Sequence, residues 1–143
     1  MRKTSGIASG KLKFPDVKNA STTETYKAIK WCSDKGIVKG YTEGKKVLFK
    51  PDNNITRNEA MIMIYRYAKI TGFPTTVAKS DVKTFKDITK FSKTSDSYNS
   101  IVWGASKEIT KGYSDGTFGI DKRCVRSAVV IFLYRMDRIL KGK

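Results

Sequence analysis

The sequence predicts an all-α fold: tandem helix–loop–helix repeats packed as a pseudo-symmetric helical bundle. Three observations carry that prediction. The chain repeats itself, reading AIKWCSDKGIVKGYTEGKKVLFKPDNNITRNEA and later SIVWGASKEITKGYSDGTFGIDKRCVRSA. Each copy holds two segments with apolar residues at helical spacing. Between those segments lie glycines, prolines and asparagines, the residues of turns and loops rather than of long strands.

The elements follow in order. Residues 1–13 read as a flexible leader, 14–73 as the first repeat, 74–84 as a polar surface linker and 85–143 as a degenerate second repeat. Phe14-Pro15-Asp16-Val17 opens the first copy and Phe85-Lys86-Asp87-Ile88 the second. Tyr26, Ile29, Trp31 and Gly40-Tyr41 recur 72 positions later as Tyr98, Ile101, Trp103 and Gly112-Tyr113. Beyond the loop the offset falls to 69, pairing Phe49 with Phe118, Arg57 with Arg126 and Tyr65-Arg66 with Tyr134-Arg135. The first loop therefore carries three extra residues, around Lys45-Lys46-Val47.

The first helix of copy one has Ser21 as its N-cap with Glu24 three residues on, a capping-box spacing, and Gly36 as its stop. The second helix begins at Thr56 with Glu59 at the same spacing and stops at Gly72. Its apolar residues cover most of the circumference, as do those of its counterpart from Val125 to Leu140, so both are expected to be buried. The economical packing sets the two second helices side by side, with the first helices outside.

Composition narrows the function. Lys and Arg number 29 against 13 Asp and Glu, a net charge of +16, which calls for an anionic partner. Nucleic acid is not the expected one, because charge alone is unspecific and no recognised nucleic-acid motif is present. There is no histidine, nucleophile elbow, phosphate loop or metal-ligand cluster, so the chain is read as no enzyme, with no metal and no cofactor. The apolar-rich run 60–64, with aromatics after it, falls far short of the about 20 residues of a membrane span. Met1 is followed by Arg2 and Lys3 but by no apolar core of a signal peptide. The chain is then either cytosolic or a piece of a longer exported protein.

The order FPDV, GIVKGYTEG, LFKPDNNITRNEA closely resembles the S-layer homology repeat, across about residues 14–140. The resemblance implies noncovalent anchoring at a bacterial cell wall or surface, through an acidic secondary cell-wall polysaccharide often bearing ketal pyruvate. It places ligand in grooves between repeats, with Arg57, Arg126 and the loop glycines Gly36, Gly40 and Gly112 as binding residues. Arginine suits that task as a planar fork for carboxylates, and each lies in the first turn of a helix, where free N–H groups favour anions. The alternative role for both is a structural residue at the start of a helix. Tyr41 and Tyr113, in the loops, are candidate sugar contacts; Trp31 and Trp103, in the apolar stripes, read as core.

The copies also differ from the family. It usually has three repeats, so a further repeat or a homo-oligomer is a possible partner, and a structural or adhesive protein–protein role is the alternative function. Acidic Glu24 and Asp96 stand where an aromatic is common. Val125-Arg126-Ser127-Ala128 lacks the threonine and glutamate of copy one, and Glu108 replaces the glycine at Gly36. Cys32 and Cys124 are not repeat-equivalent. Export makes a Cys32–Cys124 disulfide reasonable, with two partly buried thiols as the alternative.

Overall fold

Helix caps set the elements of this chain, whose computed structural model describes residues 10–18 and 22–142. Ser21 lies outside the described residues. The cap of α1 (Glu24–Asp34) is Thr23, whose hydroxyl accepts the Tyr26 N–H at 3.3 Å. In α2 (Arg57–Ile70) the expected capping box forms: Thr56 accepts from the Glu59 N–H at 3.2 Å, and Glu59 accepts from the Thr56 N–H at 2.7 Å. Ser95 caps α3 (Asp96–Ser106), and α4 (Arg126–Leu140) follows Val125 with no side-chain cap. No helix among the described residues is long and apolar enough to cross a membrane.

The residues separate into two units, Met1–Asn53 and Asn54–Lys143, a division that falls inside the first sequence repeat. The first unit holds α1 and the loop after it. Beyond Gly36, Ile37 and Val38 are buried. Strands β1 (Tyr41–Glu43) and β2 (Lys46–Leu48) then pair antiparallel, with Tyr41 opposite Leu48 and Glu43 opposite Lys46. That register leaves Gly44-Lys45 as a two-residue turn, with Gly44 at φ +57°, as such hairpins require. The hairpin corrects the all-α expectation: the fold is predominantly helical with one small sheet. Its cause is the loop's three extra residues. In the shorter second loop, Tyr113 donates to the Thr117 carbonyl at 2.8 Å and Gly116 to the Tyr113 carbonyl at 3.0 Å, closing a tight turn instead.

Each Phe-x-Asp opening is a clamp. Phe14 is buried against Phe49, with centroids 5.5 Å apart, while Asp16 accepts the N–H groups of Phe49 and Lys50 at 2.9 and 2.6 Å. Phe85 meets Phe118 at 5.8 Å, and Asp87 accepts from Phe118, Gly119 and Ile120 at 2.8, 2.7 and 3.1 Å. Burial alone would raise the Asp87 carboxyl, but those backbone N–H groups outweigh it and hold the pKa below the ordinary value.

In the second unit α2 packs chiefly against α3, burying Met61, Ile64, Tyr65 and Ala68. The fully buried Trp103 of α3 is the centre of this core, its ring 5.4 Å from that of Tyr65 and its Nε1–H donating to the Pro74 carbonyl at 3.1 Å. Linker residues Phe73 and Val77 pack on the same cluster, as does Cys124. The expected burial of the last helix is only partly met. From α4 just Phe132 and Met136 are buried, and Val130, Ile131, Leu133 and Tyr134 are exposed.

Glu108 has a left-handed backbone, φ +57°, where its repeat counterpart Gly36 has φ +70°. A side chain there costs on the order of 1 kcal/mol. Glu108→Gly is expected to raise the melting temperature by about 3–4 °C, which a thermal scan checks.

Candidate functional site

The second unit holds Arg57, Arg126, Gly112 and Tyr113 of the expected site residues, with Tyr113 beside Arg57. Its guanidinium is buried: Nε donates to the Phe118 carbonyl at 2.9 Å and Nη2 to the Thr110 hydroxyl at 3.1 Å. The rings of Tyr113, Phe118 and Phe132 lie 5.1, 5.0 and 4.8 Å from its central carbon. No carboxylate among the described residues pairs with it. Burial pulls its pKa below the ordinary value, and it stays protonated at any working pH.

The N–H groups expected to be free at the start of α2 are occupied. Those of Arg57 and Asn58 donate to the Lys122 and Ile120 carbonyls at 2.8 and 3.3 Å, and that of Glu59 goes to Thr56. An antiparallel bridge between Thr56 and Arg123 holds this arrangement. Arg126, its repeat counterpart, is exposed in the first turn of α4.

Gly112 has φ +70°, and a Cβ there would meet Phe85 Cε1 at 2.3 Å and the Thr117 carbonyl at 2.7 Å. The loop therefore wraps tightly on the Phe85 ring and delivers Tyr113, 41% exposed, to the surface. The Lys122 ammonium sits 3.8 Å from the Tyr113 centroid. Gly36, Gly40 and Tyr41 belong to the first unit. Gly40 repeats the Gly112 arrangement, with a would-be Cβ 2.5 Å from Phe14, and Lys50 lies 5.2 Å over the half-exposed Tyr41.

Beside the Gly112 loop lies a cavity of about 180 Å³ lined by Lys107, Glu108, Lys111, Arg135, Arg138 and Ile139. A second cavity of about 340 Å³ is lined by Lys83, Phe85, Ala105, Glu108, Thr110 and Lys111, and Thr110 is also Arg57's acceptor. Glu108 is the single acid in either lining. Lys107, Arg135 and Arg138 were not singled out from sequence. The available signal was spacing, since Lys107 and Lys111, and Arg135 and Arg138, are four and three residues apart on or beside helices.

Cys32 lies in the first unit and Cys124 in the second, and each is a free thiol. Each is partly buried and its thiol is pushed up by burial, and Cys124 packs as a small apolar residue on the second unit's core. No group of three or more potential metal ligands occurs among the described residues.

The S-layer homology domain family matches residues 13–61 and 84–126. Over 114 residues the chain is 36% identical to the cellulosome-anchoring protein of Acetivibrio thermocellus, covering 74% of this chain and 23% of that protein. Over 109 residues it is 27% identical to cell surface glycoprotein 1 of the same organism, covering 76% of this chain and 4% of that one. No solved structure matches. Both family segments begin at a Phe–Asp clamp and run through the Gly-Tyr loop to the first residues of the next helix, so this chain, with its two copies, belongs to the S-layer homology domain family.

Proposed function

We propose that the chain is a noncovalent anchoring module of the bacterial cell surface, acting outside the cell by binding an acidic secondary cell-wall polysaccharide. The observation that carries this is the 180 Å³ cavity, where Lys107, Lys111, Arg135 and Arg138 face one carboxylate. Such a surplus of cations concentrates an anionic polymer and is satisfied by its acidic groups. The tyrosine of each loop adds a half-exposed ring with a lysine over it. Arg57 works from beneath, fixing the loop that carries Lys111 and Tyr113, and adds its charge. The two sequence repeats, 14–73 and 85–143 with linker 74–84, are the binding units. The names of the two relatives, an anchoring protein and a surface glycoprotein, agree with this role. The module binds and does not catalyse.

A pull-down with purified wall polymer tests the reading. Lys107→Glu with Lys111→Glu is expected to weaken retention at least tenfold, and added salt to weaken the parent as well. Undiminished retention by the double variant would reject the cavity. A structural or adhesive role in protein–protein assembly is the second reading, favoured by the exposed apolar residues of α4.

A further inference from the structure

The exposed face of α4 has a counterpart in this chain that shows what it is shaped to receive. Adding the 69-residue offset to Met61, Ile64 and Tyr65 gives Val130, Leu133 and Tyr134. The first three are 0%, 9% and 8% exposed beneath α3; the second three are 64%, 48% and 61% exposed. The repeat has built the same seat twice, and within the second unit only the first is filled. The helix that fills it, α3, corresponds to α1 at the offset of 72.

We propose that α1 of a second copy of this chain docks on α4, so that copies associate head to tail. Three pairings support that occupant. In the filled seat Asp96 meets Arg66 at 2.7 Å and Lys69 at 3.8 Å. The corresponding residues are the exposed acid Glu24, in the first turn of α1, and the cations Arg135 and Arg138 on α4. The Tyr65–Trp103 ring contact maps onto Tyr134 and Trp31. A Cβ on Gly104 would come within 2.8 Å of the Met61 sulfur. In the open pair Cys32 stands for the glycine and Val130 for the methionine, so a larger side chain on α1 faces a smaller one on α4. Charge, ring and volume thus all match in the register the repeat dictates. The acid at Glu24, unhelpful to an acidic polymer, acquires a partner. Arg135 and Arg138 also line the 180 Å³ cavity, so association and polymer binding draw on the same cations. A heterologous contact of this kind closes a ring or extends an open oligomer.

The test is sedimentation equilibrium of the full chain over a range of concentrations, with circular dichroism confirming that each variant is folded. The parent's mass is expected to rise with concentration above that of one chain. Glu24→Arg and Arg138→Glu, both at exposed positions, are each expected to weaken association by about tenfold. Mixing the two variants is expected to restore it, because each supplies the charge the other lacks. Tyr134→Glu is expected to abolish association. A parent that stays monomeric at every concentration, or association that Glu24→Arg and Tyr134→Glu leave unchanged, overturns the proposal.

Discussion

Replacing Asp87 with alanine is expected to destabilise the protein by about 3 kcal/mol, because three backbone N–H groups lose their acceptor at about 1 kcal/mol or more each. Those groups belong to Phe118, Gly119 and Ile120, all buried residues. The melting temperature should fall by about 10 °C for a chain of this size. Phe118 then loses its register on Phe85, and the loop carrying Lys111 and Tyr113 loosens with it. The same carboxylate sets a pH dependence. Its pKa in the folded protein is lowered from 3.8, so the stability it contributes is fully present above the ordinary carboxylate range. That stability is lost as pH falls through the lowered folded value. Acid unfolding of the parent should steepen below about pH 4, and Asp87→Asn should flatten that limb. Melting curves between neutral and acid pH check both. An acid limb unchanged in Asp87→Asn would show that the clamp is not the group responsible.

Arg57→Ala is expected to cost about 3 kcal/mol of stability, through lost hydrogen bonds, lost ring contacts and the cavity left behind. Two buried acceptors, the Phe118 carbonyl and the Thr110 hydroxyl, lose their donor. Arg57→Lys should recover little, since an ammonium cannot span both acceptors as the guanidinium fork does. Arg126→Ala, at an exposed position, should shift stability by no more than about 0.5 kcal/mol. The two arginines of the repeat are thus predicted to separate in a urea titration despite their matching sequence positions. Full stability of Arg57→Ala together with lost polymer binding would reverse this assignment and make Arg57 a direct ligand contact.

Much of this was legible in the residues. The Thr56–Glu59 capping box and the Gly-Tyr loops follow from local chemistry, which needs no partner outside its own few residues; the Phe–Asp openings showed only as a repeated motif, since the backbone groups they hold lie 31 to 34 residues on. The second helix of each copy shows where local reading stops. Met61-Ile62-Met63-Ile64 and Val130-Ile131-Phe132-Leu133 look equally fit for burial, yet Met61 and Ile64 are covered while of the α4 run only Phe132 is, because coverage depends on what arrives from elsewhere. The hairpin escaped notice for a different reason: three extra loop residues decide between a turn and a pair of short strands, and strands this short carry no periodicity. In the site, Gly112 and Tyr113 announced themselves by type. Arg57 was marked as a candidate, but its sequence could not say whether the guanidinium turns inward to Phe118 or outward to a ligand. The cavity cations stayed hidden because lysine and arginine are everywhere in a chain of net charge +16.

The central claim is that this chain anchors itself by recognising acidic groups on a wall polysaccharide. Its most direct measurement is a calorimetric titration of the full chain with purified wall polymer, before and after the polymer's carboxyl groups are converted to neutral amides. Saturable binding to the native polymer, lost on neutralisation, is the predicted result. Equal affinity for the neutral polymer, or no binding to either, would contradict it.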